Sequence, residues 1–294
     1  MMQYNSPYDQ FNMKKFTRII LLTFIFALSA SKVFGALTPP PSPFGPWVKY
    51  PGNPVLVDPD AQCHFPEIIL SEVSDPLRQP IQYPHPTKGM KYWMYYDTCW
   101  RGGARLAYSD DLIRWTPYEK NPILTTSTGE LSLFIGNMFK DGSNFYLFYD
   151  IAGGIRYASA QSPFGPWTKG PVILKPGPLG SWDEGRVTES FVFKYDNTYY
   201  LYYMGDLVPP YGRKEQVGLA TVSASLFPAG PWKKQGLKLA VNPSSWDWTV
   251  VADPSIIQVN NNWYMLYTGS GPNQTWSLGM AWSANPQGPW TKYP

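Results

Sequence analysis

The chain has 294 residues and a net charge of +3, with 24 Lys and Arg set against 21 Asp and Glu. Charged residues make up 15% of it and aromatic residues 17%, beside 31 Pro and 25 Gly, which suits many short strands joined by tight turns and excludes disorder, coiled coil and long helices. Lys and Arg are scattered, so no basic stripe points to nucleic acid as a partner.

The N-terminus reads as an address. Lys14, Lys15 and Arg18 precede an apolar run from Ile19 to Ala30, and small residues follow, the order of a secretory signal. A run of about a dozen apolar residues falls short of the roughly 20 needed to span a bilayer, so no membrane span is expected. Cleavage is placed after Gly35, with Ala30 as the alternative, and Met13 is an alternative start because residues 1–12 fit no part of a signal. The signal is thus 1–35 and the folded domain 36–294, in a secreted or periplasmic protein. A buried helix is the competing reading of the apolar run.

The next feature along the chain is a repeat. "SPFGPWVKY" at Trp47, "SPFGPWTKG" at Trp167, "FPAGPWKKQ" at Trp232 and "NPQGPWTKY" at Trp290 are near-copies, and "DLIRWTPYE" at Trp115 is a looser one. The steps between these Trp residues are 68, 52, 65 and 58 residues, the spacing of propeller blades with loop insertions. Between them the same segments recur: a β-rich piece ("HFPEIIL", "LFIGNMF", "VTESFVF", "VADPSII"), an aromatic strand ("KYWMYYD", "NFYLFYD", "TYYLYYMG", "NWYMLYTG") and a small-residue strand ("ARLAYSD", "GIRYASA", "VGLATVS", "LGMAWSA"). The Trp strand closes each unit, and Asp141-Gly142, Asp196-Asn197 and Asn260–Asn262 mark hairpin turns.

Four antiparallel strands repeated around an axis make a β-propeller. The reading is all-β: a five-bladed propeller with about four blades in this chain, the units running roughly 58–124, 125–175, 181–240 and 244–294. The opening "GPWVKYPGNPVL" is a fourth strand without its first three, so a fifth unit beyond Pro294 is expected in the natural gene.

These units resemble the five-bladed propellers of glycoside hydrolases related to family 43, a superfamily that includes families 32, 62, 68, 117 and 130. The runs that carry the resemblance are "ADPSII…NWYMLYTG…LGMAWS", "TESFVFKYDNTYYLYY" and "HFPEII", with the NPVL and NPIL turns at Asn53 and Asn121. The resemblance implies action on arabinose-, xylose-, galactose- or fructose-containing glycans. It also implies three axial carboxylates from the first strands of blades: an Asp base, a tuning Asp and a Glu acid.

Aligning the first strands brings Phe65, Ile135, Glu189 and Asp253 to one inner position. Glu189 resembles the general acid and Asp253 the base-type Asp-Pro motif, while Ile135 stands where a tuning Asp is expected. A carboxylate inside a strand is costly to bury unless it has a partner or a use. An ion pair with Arg186 is the alternative for Glu189, and an Asp-Pro turn cap for Asp253.

Around this pair the expected substrate contacts are Arg186, Asp183 and Glu184 of "GSWDEG", Trp246 and Asp247 of "SSWDWT", and Trp100, since Trp faces suit sugar stacking. Asp183, Glu184 and Asp247 read equally as solvated turn acids. Glu67, two residues past Phe65, is a reserve acid on the same face. His64 is a further candidate substrate contact beside the axis, with a hydrogen-bonded inner-strand histidine as the alternative reading. The spacing of Cys and His forms no metal site and no cofactor is expected, although an axial calcium, as some relatives carry, stays open as an alternative at His64. Cys63 and Cys99 are the only cysteines. If Glu189 lies opposite Met204, then Phe65 lies opposite Asp97 and Cys63 faces Cys99, a disulfide in an oxidising compartment, with two free thiols as the alternative.

The leading function is therefore a glycosidase acting on oligo- or polysaccharide through Glu189 and Asp253. The alternatives are a non-catalytic carbohydrate-binding propeller and a protein-interaction propeller without an acidic axial pocket.

Overall fold

Alternating apolar residues separated by turn residues every eight to twelve positions fold as short antiparallel strands, and the computed structural model shows sixteen of them among its described residues. The structure describes residues 39–45, 48–58, 64–68 (backbone), 92–97, 103–128, 130, 133–207, 214–271 and 276–294. The signal segment, Cys63, Cys99 and Trp100 lie outside the described residues.

The first blade is β1 (His64–Ile68), β2 (Tyr92–Asp97), β3 (Ala104–Ser109) and β4 (Thr116–Pro117). The second is β5 (Phe134–Asp141), β6 (Asn144–Ile151), β7 (Gly154–Ala160) and β8 (Thr168–Leu174). The third is β9 (Arg186–Tyr195), β10 (Thr198–Asp206), β11 (Gln216–Ser223) and β12 (Lys233–Leu239). The fourth is β13 (Val250–Val259), β14 (Asn262–Ser270), β15 (Trp276–Ser283) and β16 (Thr291–Lys292). Each blade is a four-stranded antiparallel sheet in chain order. Successive blades pack face to face, with β1 and β2 on β5, β5 to β7 on β9, and β9 to β11 on β13. One single-turn 3₁₀ helix, Ala224–Leu226, interrupts the strands, and no helix among the described residues is long and apolar enough to cross a membrane.

The repeated Trp residues serve blade packing. Trp115, Trp232 and Trp290 are buried, and Trp290 Nε1 donates to Tyr202 of the preceding blade at 3.0 Å. The Gly-Pro before Trp167, Trp232 and Trp290 is built for this turn. Gly165, Gly230 and Gly288 have φ of 86°, 87° and 85°, and a Cβ on Gly230 would lie 2.5 Å from Trp232 N.

Three of the four blades also repeat a buried polar triad, and the second keeps its acid and bases while Tyr149 OH stays without a partner among the described residues. A Tyr of the second strand donates to an acid from the loop before the first strand, and a base meets the same acid. Tyr96 and Arg105 meet Asp58 in the first blade, Tyr203 and Lys234 meet Asp183 in the third, and Tyr267 and Lys292 meet Asp247 in the fourth. In the second blade Arg156 and Lys169 bind Glu130. The Lys two residues after the Trp in units two to four thus neutralises the acid that enters its own blade.

The N-terminal segment runs from the fourth blade to the first. Phe44 packs edge-on against Tyr264 at 5.8 Å and Tyr293 donates to Pro40 O at 2.7 Å, while Trp115 N donates to Val55 O at 3.4 Å.

Candidate functional site

All four first strands carry a β-bulge at one place. The ladder skips between His64 and Glu67, Ile135 and Met138, Thr188 and Phe191, and Ala252 and Ser255. This aligns Phe65, Ile135, Glu189 and Asp253 as expected, but it moves the register by one: Met204 lies opposite Thr188 and Asp97 opposite His64. It also lies between Phe65 and Glu67, so simple two-residue alternation does not put Glu67 on the face of Phe65. The Cys63–Cys99 pairing argued from the former register lies outside the described residues, as do the side chains of His64 and Glu67 and the whole of Trp100.

Glu189 and Asp253 take φ of 52° and 50°, whereas Ile135 keeps negative φ. A non-Gly residue in this region costs about 1–3 kcal/mol, and such residues collect at functional sites where the bulge re-aims a side chain. The two carboxylates come together. Asp253 N donates to Glu189 Oε2 at 3.3 Å.

Two further acids complete the site. Asp150, at the end of β6, accepts from Glu189 N at 3.0 Å, and Asp97, at the end of β2, accepts from Ile135 N at 3.1 Å. Each bonds the amide of the next blade's inner residue, and both are buried. Met204 occupies the equivalent place in the third blade, and the amide of Asp253 goes to Glu189 instead. The repeated "YYD" and "FYD" strand ends held this signal in the sequence. It is visible only once the bulge register shows that the second strand of one blade reaches the first strand of the next.

Burial pushes the Glu189 carboxyl well above the usual range, helped by the charges of Asp253, Glu215 and Asp150 and opposed by Arg186. Asp150 is raised by burial, and Asp253 is raised by burial against hydrogen bonds from Thr268 and Glu189. Arg186 Nε and one Nη bond Asp206 and Glu215 at 2.7 and 2.6 Å, so it acts on Glu189 through charge.

Two cavities flank Glu189 and Ile135. One, of about 340 Å³, lies between the second and third blades against Asp150, Gly153, Arg186 and Thr188. The other, of about 410 Å³, lies between the third and fourth against Asp253, Ser190, Thr268 and Leu278. Sites of this size suit a sugar ring with a few aimed polar groups.

Other expected contacts are used elsewhere. Asp183 and Asp247 are neither solvated nor open to a sugar, being 2% and 0% exposed inside their triads. Each is held by the Tyr and Lys of its own blade, both on one carboxylate oxygen, and Asp247 Oδ1 has no hydrogen-bond partner among the described residues. Glu184 caps the turn at Gly180 N. Trp246 stacks on Tyr267 with ring centroids 5.9 Å apart and remains 39% exposed, its ring passing over Gly269, where a Cβ would meet it at 2.4 Å. Among the described residues no group of three or more His, Cys, Asp or Glu is arranged to hold a metal ion.

Comparison with solved structures places this architecture. The endo-arabinase of Bacteroides thetaiotaomicron VPI-5482 superposes at a TM-score of 0.55 with 17% identity, over 77% of this chain and 83% of that one. A thermostable family-43 glycoside hydrolase matches at 0.53 with 21% identity, over 77% and 72%. The catalytic domain of the Coprinopsis cinerea GH62 α-L-arabinofuranosidase matches at 0.52 with 13% identity, over 76% and 73%.

The chain has the fold of the propeller glycoside hydrolases.

The resemblance read from the repeat motifs therefore reappears in three dimensions, with four blades described. No family description and no curated protein matches the sequence.

Proposed function

We propose that the protein is a glycosidase whose general acid is Glu189 and whose partner carboxylate is Asp253. The observation that carries this is the pair itself: two carboxyls from equivalent bulges of adjacent inner strands, joined through Asp253 N and Glu189 Oε2 at the junction of two sugar-sized cavities. Burial and the charges of Asp253, Glu215 and Asp150 raise the Glu189 carboxyl well above its usual range, which suits it to the acid role. Glu189 protonates the departing glycosidic oxygen, and Asp253 faces the sugar ring to activate water or stabilise the oxocarbenium-like transition state.

A separation of roughly 5–5.5 Å between the two carboxyls in a substrate complex would mark a retaining enzyme, and roughly 6.5–9.5 Å an inverting one. The fold similarity to an arabinase and an arabinofuranosidase supports pentose-containing glycans as the first substrates to try, and secretion follows from the leader-like N-terminus. Release of reducing sugar from aryl arabinosides, xylosides and galactosides by the wild type, lost in Glu189→Gln, is the expected result. Absence of any hydrolysis together with glycan-array binding would instead support the carbohydrate-binding reading, which Ile135 at the tuning position favours.

A further inference from the structure

We infer that the two cavities are unequal halves of one substrate site: the sugar that is cleaved sits in the lobe of Asp253 and the leaving group in the lobe of Arg186. This rests on the glycosidase reading and adds the direction in which a glycan lies. Glu189 and Ile135 line both lobes, so the bond that Glu189 protonates lies at their junction. Asp253 lines only the lobe between the third and fourth blades. An acid and its partner carboxylate address the same anomeric carbon, so that carbon and its ring belong in the Asp253 lobe.

Charge sorts the lobes the same way. The transition state places positive charge on the cleaved ring and negative charge on the departing oxygen. The Asp253 lobe contains carboxylates and no cationic side chain. The other lobe carries Arg186, whose side chain is 45% exposed and has N–H donors beyond the two given to Asp206 and Glu215. Those donors suit the hydroxyls of a leaving sugar. The carboxylate surroundings of Glu189 also disfavour an acidic ring in the Asp253 lobe, so the cleaved sugar is neutral.

Glycosyl fluorides test this, because fluoride needs neither protonation nor a leaving-group lobe. Ala152, exposed on the rim of the Arg186 lobe, and Leu278, 79% exposed on the rim of the Asp253 lobe, take added bulk without touching the core. Kinetics are measured on α-L-arabinofuranosyl, β-D-xylosyl and β-D-galactosyl fluorides and on disaccharides carrying the same sugars. Ala152→Trp is expected to lower kcat/KM on the disaccharide at least about tenfold more than on the matching fluoride, and Leu278→Trp to lower both by factors within about threefold of each other. The opposite pattern, or the same disaccharide-to-fluoride ratio in both variants, would overturn the assignment of lobes while leaving the glycosidase intact. A wild type that turns over neither fluoride nor disaccharide would overturn the glycosidase reading and this one with it.

Discussion

Asp253 offers its backbone N–H to Glu189 Oε2 at 3.3 Å. The contact joins adjacent blades at the bulge, where both residues adopt positive φ. Carboxyls brought this near each other titrate as a pair, each charge raising the cost of the other.

The first prediction concerns pH. Burial raises Glu189, Asp150 and Asp253, so the folded chain keeps protons that the unfolded chain has released. The stability this gives is complete below the unfolded carboxyl range and is lost as pH rises through the raised folded values. Thermal midpoints should therefore fall between pH 5 and pH 9. Activity on substrates that need protonation should fall along the same limb, as Glu189 ionises. A midpoint that climbs steadily across that range would contradict the assignment.

Asp150→Asn separates charge from geometry. An amide oxygen can still accept from Glu189 N, while the buried ionisation is removed. The variant should lose less stability than the wild type on going from pH 5 to pH 9, and melting curves at both pH values measure the difference. Equal losses in the two proteins would show that folding does not hold the Asp150 carboxyl protonated, its ionisation then being the same in the folded and unfolded chain.

The blade triads predict stability effects away from the site. Lys234 Nζ bonds Asp183 at 2.6 Å and lies over the Tyr203 ring at 5.7 Å, and the Asp183 side chain is 3% exposed. Lys234→Met leaves that carboxylate buried without its cation, which costs about 3–5 kcal/mol. Urea denaturation should show the loss. Lys140→Met, which removes an amine bonded to Gly142 O on the exposed second-blade hairpin, should cost far less.

Most of the blade architecture was legible in the sequence because its signals are local and repeated. The Trp spacing, the GPW turn and the three strand types each recur within one unit. The inner alignment of Glu189 and Asp253 followed from the same repetition. The bulge was not legible, since nothing in "TESFVF" marks where one residue is added to the ladder. Its omission displaced the register at Met204 and at Asp97. Asp150 and Asp97 were overlooked for a related reason: their partners are amides of the next blade, contacts that a repeat counted one unit at a time does not contain. Asp183 and Asp247 do lie in loops, but they read as solvated or sugar-facing because the bases that bury them, Lys234 and Lys292, lie 51 and 45 residues further along the chain.

The most direct test of the account compares Glu189→Gln with the wild type on two leaving groups. General acid catalysis contributes about 10²–10⁴-fold where the departing oxygen needs a proton, and little where it does not. Glu189→Gln should lose that factor in kcat/KM on a disaccharide or alkyl glycoside and retain much of its rate on a dinitrophenyl glycoside of the same sugar. Equal losses on both substrates, or no loss on either, would contradict the assignment of Glu189 as the acid.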